Sequence, residues 1–159
     1  TPEAAQKIVN AALYSPKGAR GLSPYTRCHG YTHVELDRSM SRHAEDTLVG
    51  VLVEGKEGIE NLPEITQIDG IDLIYLGMYD ISQSVGLPGQ LEHPKVMKQL
   101  KECLEVIVSA GKLAGTFSRE VEACRSYQNM GFSFIAYVAD SYALTSFYEN
   151  FVQDCNISN

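Results

Sequence analysis

The sequence predicts an α/β protein built around a parallel sheet. Three observations support this: apolar strand-like segments alternate with amphipathic helical segments, the strand-like segments show little polar alternation, and Gly or Asp-Gly turns separate the units. Regular alternation of this kind is typical of parallel strands, and uniformly apolar strands suit a sheet that is buried on both faces. No GxGxxG follows the first strand, which disfavours the dinucleotide-binding version of this architecture.

The first third of the chain predicts one helix and a long connection. Thr1-Pro2-Glu3 combines a capping residue, a proline for the first turn and an acid near the positive end of the helix dipole, so we expect a helix that runs to about Leu13. Residues 14–45 are polar and weakly periodic, which favours a loop with room for one short helix. Thr47–Val53 is β-branched and apolar and predicts the first strand.

A helix–strand–loop–helix sequence follows. We expect a helix over roughly Glu57–Gln67, with Pro63 in its first turns, and a second strand over Asp72–Gly77. The next segment, Met78–Glu92, predicts a long loop, and such loops in compact domains are often functional. Pro94 then begins a strongly periodic helix that ends near Gly111.

The last third predicts two more strand–helix units. Lys112–Phe117 and Phe132–Val138 are the third and fourth strands. We expect Ser118 to cap a helix that ends at Gly131 and Asp140 to cap a final helix that runs to about Val152. The pattern therefore gives about four strand–helix units, and we treat residues 1–159 as one domain.

Composition narrows the range of functions. The chain has 159 residues and a formal net charge of −7, and this acidity argues against a nucleic-acid partner, which would need a basic face. No apolar run approaches the roughly 20 residues of a membrane-spanning helix, and no secretory signal begins the chain, so we expect no membrane partner. The four cysteines form no CxxC pair. This spacing fits a reducing, cytoplasmic location.

Two carboxylates predict a metal site. Glu54 follows the first strand and Asp80 lies just beyond the second, and one strand–helix unit separates them. In a parallel sheet such a unit returns the chain to the same edge, so the two acids can share one divalent cation. Hard oxygen ligands favour Mg²⁺ or Mn²⁺, and Co²⁺ is a possible substitute. His29 and His33 have the i, i+4 spacing that could bind zinc on a helix, but Gly30 lies between them and the segment lacks helical periodicity, which disfavours a metal role.

Three segments carry a resemblance to a known family. VEGKEGIENLPEI, GIDLIYLGMYDISQSVGLPGQLEHPKV and GARG resemble the HpcH/HpaI aldolases, which are class II, metal-dependent pyruvate aldolases. The resemblance implies a parallel (β/α)8 TIM barrel of which this chain supplies the C-terminal half. It implies a carbon–carbon lyase. Such an enzyme forms or cleaves the bond between a 2-oxo acid, such as pyruvate, and an aldehyde through a metal-stabilised enolate.

The resemblance also assigns site residues. It implies Glu54 and Asp80 as the metal ligands, and the turn of Gly77, Met78, Tyr79 and Asp80 as the seat of the substrate carboxylate through backbone N–H groups. Relatives usually carry small residues or proline at the positions of Met78 and Tyr79. These two larger side chains either narrow the pocket or change the substrate, or they simply pack on the loop. Arg20 of GARG is implied at the rim of the active site, where it binds an acidic substrate tail or forms a surface or interface salt bridge.

The resemblance further implies that other parts of the protein complete the site. In the family, the N-terminal half of the barrel supplies a catalytic His–Asp pair and a substrate-binding arginine, so we assign no catalytic base in this half. We expect the isolated segment to be inactive. We also expect a partner for the exposed face of a half barrel: the missing N-terminal half, a complementary chain or further copies in a homo-oligomer.

One residue departs from the family pattern. Leu52 stands where relatives carry a glutamine that hydrogen-bonds the substrate's oxo group, and leucine cannot donate a hydrogen bond. Two alternatives therefore stay open beside the aldolase. One is a diverged, non-catalytic barrel module, and the other is a related enolate enzyme with a different acceptor, such as a citrate-forming enzyme or an acyl-CoA lyase.

Overall fold

A computed structural model describes residues 1–155, and its centre is a four-stranded sheet. The sheet has the order β1-β2-β3-β4, and every neighbouring pair is parallel. Its strands are β1 (Gly50–Val53), β2 (Leu73–Leu76), β3 (Leu113–Ser118) and β4 (Phe134–Tyr137). Because helical segments connect each strand to the next, the α/β fold predicted from the alternation is confirmed.

The described part of the chain also contains eight α-helices. They are α1 (Pro2–Ala12), α2 (Leu36–Asp46), α3 (Lys56–Glu60), α4 (Leu62–Ile65), α5 (Met78–Ser84), α6 (Pro94–Ser109), α7 (Val121–Met130) and α8 (Asp140–Asp154). Two N-termini follow the sequence closely. Thr1 caps α1 by accepting from the Ala4 N–H at 3.2 Å, and Pro94 occupies the first turn of α6. None of these helices is both long and apolar enough to cross a membrane.

The predicted loop over Met78–Glu92 is wrong in its first half, because Met78–Ser84 forms α5. Met78, Ile81 and Ser82 are buried on one side of this helix, which fixes it against the core. A helix of two turns is too short to show a clear periodicity. The glycine and proline signals that predicted a loop apply only to residues 86–90.

Two other segments differ from the expectation. The polar region 14–45 contains the three-turn helix α2, in which no residue is buried, so apolar periodicity could not reveal its length. The single helix expected over Glu57–Gln67 is instead two short helices, α3 and α4, which meet at Asn61. Pro63 lies in the first turn of α4, where a missing N–H costs nothing.

The two expected side-chain caps are also wrong. α7 has Glu120 at its cap position, and the Ser118 hydroxyl instead accepts from the Glu120 N–H at 3.3 Å and donates to the Glu120 carbonyl at 3.0 Å. Asp140 is the first helical residue of α8, one position after the cap residue Ala139. Ser118 therefore lies two residues before the cap position of α7, and Asp140 lies one residue after that of α8. Both side chains still accept a backbone N–H at the start of the helix.

The helices cover only one face of the sheet. Val51, Val53, Ile74, Leu76 and Ala114 point to that face and are buried against α4, α5 and α6. Burial of such side chains stabilises each by about 1.5–3 kcal/mol relative to exposure. This helix-covered side is the core of the described chain.

The other face of the sheet is open and apolar. Leu52 is 56% exposed, Phe134 is 43% exposed and Leu113 is 42% exposed. Tyr75 and Phe134 meet across Gly115 with ring centroids 6.3 Å apart, and a Cβ on Gly115 would lie 2.9 Å from the Tyr75 ring. In a closed barrel this face is the interior. We call it the open sheet face.

The last helix presents a second apolar surface. No residue of α8 is buried, and its aromatic side chains Tyr142, Phe147, Tyr148 and Phe151 are each more than two fifths exposed. Exposed aromatic side chains grouped on one helix are typical of a contact surface.

Gly70 allows α1 to pack beside the turn that precedes β2. Its φ is +88°, and a Cβ there would lie 2.7 Å from Val9 Cγ1 and 3.2 Å from Leu13 Cδ1. We predict that Gly70→Ala lowers the free energy of unfolding by about 2–4 kcal/mol, because the methyl group is both strained and overpacked. Chemical denaturation measures this value.

Gly111→Ala is the matched control, because Gly111 has a φ of +71° and open space around the position of a Cβ. It carries the same backbone strain without a clash, so a loss of only about 1 kcal/mol is expected. Equal losses in the two variants would contradict the packing role of Gly70.

Candidate active site at the carboxyl edge of the sheet

Glu54 and the start of α5 are neighbours because of the register between β1 and β2. Val53 pairs with Leu76, so the residues that follow them, Glu54 and Gly77, emerge side by side. The Gly77 N–H donates to the Val53 carbonyl at 3.1 Å and extends the ladder by one step. Parallel strands place their carboxyl ends at one edge, where α/β enzymes carry their active sites.

Gly77 provides the space that the Glu54 side chain occupies. A Cβ on Gly77 would lie 2.6 Å from Glu54 Oε2 and 2.7 Å from Glu54 Cβ, both far inside van der Waals contact. The Glu54 carboxylate therefore lies across the glycine that precedes α5, and Asp80 lies in the first turn of that helix. The two acids predicted to share a cation thus flank the same glycine turn.

The chemistry of these two groups fits a divalent cation. Glu54 is half-buried and Asp80 is exposed, and neither forms a salt bridge within residues 1–155. No cluster of three or more His, Cys, Asp or Glu side chains occurs in the described chain. Two carboxylates with open coordination positions suit Mg²⁺ or Mn²⁺, which keep several water or substrate ligands.

The turn residues between them have distinct roles. Met78 is 2% exposed and packs into the core, so of the two alternatives for this side chain the structure supports packing. Tyr79 is 43% exposed and lines a neighbouring cavity. The Gly77 N–H already donates to the Val53 carbonyl, so the N–H groups at the start of α5, from Met78 and Tyr79, are the backbone donors of this turn left for a ligand.

That cavity has a volume of about 350 Å³ and lies between the loop before α6 and the loop after β3. Gln90, Glu92 and His93 line one wall, and Phe117, Arg119 and Glu120 line the other, with Tyr127 of α7 behind them. We call it the β3 cavity. Sequence reasoning did not find Phe117, Arg119 or Tyr127, because no spacing motif joins residues of separate loops and helices.

A buried serine joins one wall of the β3 cavity to the first turn of α5. Ser82 is fully buried, and its hydroxyl donates to the Tyr79 carbonyl at 2.6 Å and accepts from the Gly89 N–H at 2.9 Å. The Leu87 N–H also donates to the Ser82 carbonyl at 2.8 Å. The loop of residues 86–90 is therefore fixed to α5.

Comparison with known proteins identifies the family. A profile of the HpcH/HpaI aldolase/citrate lyase family matches residues 1–146. The chain belongs to this family. The resemblance carried by the three sequence segments is therefore confirmed.

Its relatives include aldolases of known name. The chain is 31% identical over 150 residues to a 2-keto-3-deoxy-L-rhamnonate aldolase of Salmonella paratyphi A, which covers 94% of this chain and 56% of the relative. It is 35% identical over 142 residues to a hydroxypyruvate/pyruvate aldolase of Deinococcus radiodurans. That match includes 89% of this chain and 50% of the relative. The chain thus spans about half the length of these relatives.

Solved structures agree on the fold. The citrate synthase SbnG superposes with a TM-score of 0.80 at 26% identity, over 98% of this chain and 59% of that one. An HpcH/HpaI aldolase from Desulfitobacterium hafniense DCB-2 superposes with a TM-score of 0.90 at 21% identity. The superposition includes 100% of this chain and 61% of that one. The four-stranded sheet is therefore part of the barrel-type fold of the HpcH/HpaI family, as the sequence predicted.

Arg20 is not brought to the carboxyl edge of this family member. Its guanidinium donates to the Ala12 carbonyl at 3.4 Å and to Cys28 Sγ at 3.2 Å, and it lies 4.9 Å from the centroid of the Tyr14 ring. The end of α1 packs beside Gly70, which precedes β2. Arg20 therefore lies near the amino ends of the strands, and it forms no salt bridge within residues 1–155.

His29 and His33 make separate contacts, both within the polar region of residues 14–45. His29 is buried and hydrogen-bonds the Tyr14 hydroxyl at 3.0 Å and the Ser39 hydroxyl at 2.8 Å. His33 packs against the Tyr25 ring with centroids 6.3 Å apart. Hydroxyl contacts on both ring nitrogens give His29 a structural role in joining the segment after α1 to α2.

We predict that Ser82→Ala loosens the loop of residues 86–90. The change removes the two part-buried hydrogen bonds that the Ser82 hydroxyl forms with the Tyr79 carbonyl and the Gly89 N–H, which together contribute about 1–3 kcal/mol. Amide hydrogen exchange should show faster exchange at Gly89. Ser84→Ala is the matched control, because the Ser84 hydroxyl donates only to the Ile81 carbonyl within its own helix. Loosening of the loop in both variants would contradict the specific role of Ser82.

Proposed function

We propose that this chain is the metal-binding part of a class II pyruvate aldolase. In this proposal the enzyme forms or cleaves a carbon–carbon bond between pyruvate, or a related 2-oxo acid, and an aldehyde. The observation that carries the proposal is the position of the Glu54 carboxylate across Gly77, next to the turn that contains Asp80. Membership of a family that contains named aldolases supports it.

Glu54 and the turn of α5 have separate roles in the proposed reaction. Glu54 and Asp80 hold Mg²⁺ or Mn²⁺, with Co²⁺ as a possible substitute. The bound cation supplies stabilisation of the negative charge that develops on the 2-oxo oxygen of the substrate. The first N–H groups of α5, from Met78 and Tyr79, have no partner inside the helix and bind the substrate carboxylate. Arg20 has no role in this arrangement within one chain.

The catalytic base is proposed to come from the other half of the barrel. The open sheet face, with Leu52, Leu113 and Phe134 exposed, would form the barrel interior once that half is in place. We propose that the remaining half, a complementary chain or further copies of this chain cover it. The free thiols of all four cysteines fit a reducing, cytoplasmic setting for this assembly.

Leu52 favours a second candidate, an enolate enzyme that holds its substrate differently. Its Cδ1 lies 3.4 Å from the position that a Cβ on Gly77 would take, so an apolar group borders the proposed substrate site. Leucine offers no hydrogen bond to an oxo group. A citrate-forming or acyl-CoA lyase reaction, or a diverged module that keeps only the metal, is the alternative. The structural likeness to the citrate synthase SbnG supports the first of these.

We predict that the chain binds one Mn²⁺ through Glu54 and Asp80. Glu54→Gln and Asp80→Asn each remove a charge without changing the size of the side chain, so each should weaken binding at least tenfold, about 1.4 kcal/mol. Isothermal titration calorimetry measures this affinity. Glu57→Gln, on the exposed start of α3, is the control and should leave binding unchanged.

Gly77→Ala tests the space that Gly77 provides. The new methyl group would displace the Glu54 side chain, so the Mn²⁺ affinity should fall by about tenfold or more. Gly55→Ala is the matched control on the other side of Glu54, because a Cβ there meets no atom within 4 Å. Unchanged Mn²⁺ binding in both acid variants and in Gly77→Ala would contradict the metal site.

We predict that the chain associates through its apolar surfaces. Phe134→Asp on the open sheet face and Phe147→Asp on α8 should each shift the protein toward smaller species, because they place a charge where a partner would bury an aromatic ring. Analytical ultracentrifugation measures the distribution. A stable monomer before any substitution would contradict the prediction.

A further inference from the structure

The β3 cavity contains a polar group that no contact within the described chain explains. Tyr127 is 8% exposed, and its ring packs against Phe132 with centroids 5.7 Å apart. Its hydroxyl forms no hydrogen bond with any described residue, yet no fully enclosed side-chain polar atom lacks a partner in this part of the chain. The hydroxyl therefore faces the open space that Tyr127 lines, which is the β3 cavity.

The surroundings of this hydroxyl agree with that position. Burial raises the pKa of Tyr127, and electrostatic interaction with Glu92, Cys124 and Tyr79 raises it further. Glu92 and Tyr79 line the same cavity. The Tyr127 hydroxyl thus stays protonated and can both donate and accept a hydrogen bond in the cavity.

The cavity is shaped before any ligand binds. Ser82 fixes the loop on one side through Gly89, and Ser118, which is 4% exposed, fixes the other side through both backbone groups of Glu120. Preformed walls reduce the ordering cost of binding. A volume of about 350 Å³ lies within the range of small-molecule sites.

The charges and donors of the lining distinguish between classes of ligand. Glu92 and Glu120 oppose a single cation, Arg119, so the carboxylates outnumber the fixed positive charges and disfavour an anionic ligand. His93 accepts from the Lys95 N–H at Nδ1, so Nε2 carries the proton and is a donor. Gln90 and the two tyrosine hydroxyls donate and accept, as the hydroxyl groups of a polyol do, and Phe117 offers an apolar ring.

We propose that the β3 cavity binds the uncharged, polyhydroxylated tail of the aldehyde acceptor, with the Tyr127 hydroxyl as its innermost contact. The inference rests on the proposed function, because an aldehyde acceptor presupposes the aldolase reaction. Tyr79 connects the two sites, since it lines this cavity and directly precedes the proposed metal ligand Asp80. It assigns the acceptor preference to neutral hydroxylated aldehydes over aldehydes with a carboxylate tail.

Saturation-transfer NMR with two four-carbon probes tests the proposal. Erythritol, a neutral polyol, should receive saturation from the protein, and succinate at the same concentration should receive several-fold less. Tyr127→Phe keeps the ring and removes the hydroxyl, so it should weaken erythritol binding about fivefold. Gln90→Leu, in an exposed loop position, should weaken it as well and does not depend on the core. Tyr25→Phe, at an exposed tyrosine outside the cavity, should change nothing.

A Mn²⁺ titration of the same samples separates this inference from the proposed function. Retained Mn²⁺ binding in Tyr127→Phe, together with weaker erythritol binding, supports the subsite. Three outcomes would overturn the subsite alone. They are Mn²⁺ binding without erythritol binding, equal binding of succinate and erythritol, and erythritol binding that is unchanged in both Tyr127→Phe and Gln90→Leu. Erythritol binding without a Mn²⁺ site would overturn both the acceptor role and the proposed function.

Discussion

The candidate site depends on one packing constraint, the contact of the Glu54 side chain with the bare backbone of Gly77. The register between β1 and β2 places these two residues side by side, and the missing Cβ of Gly77 leaves the room that the carboxylate occupies. α5 starts at the next residue, so the same contact sets the carboxylate beside the turn that carries Asp80. The backbone of two strands, rather than a flexible loop, therefore determines where the first proposed ligand lies.

Much of the fold could be predicted from the sequence because its strands and longest helix carry strong local patterns. Four apolar segments gave the strands, and α6 showed clear periodicity between Pro94 and Gly111. The helices α2 and α5 were missed for different physical reasons. α2 buries no residue and so has no apolar stripe, whereas α5 is only seven residues long and borders a glycine-rich loop.

The candidate site was predictable in part. Strand ends predict where carboxylates of a parallel sheet converge, which is why Glu54 and Asp80 were predicted as a pair. The resemblance added Arg20 to the same site, but the fold of this chain holds it beside Tyr14 at the opposite end of the strands. The proposed role of Tyr127 was not predictable, because it depends on a cavity between loops that are distant in sequence, and a tyrosine in a helix is ordinarily a packing residue.

Ser82 joins two parts of the molecule that a designer would want to change separately. Its hydroxyl connects the helix turn of Asp80 to the loop that forms one wall of the β3 cavity. Remodelling that loop to change the proposed acceptor would therefore also disturb Asp80, the proposed metal ligand. The opposite wall, from Arg119 to Glu120, has no such direct hydrogen bond to α5 in the described chain. The proposed acceptor selectivity is therefore better changed from the β3 side, where the cavity wall can be varied without altering the turn of Asp80.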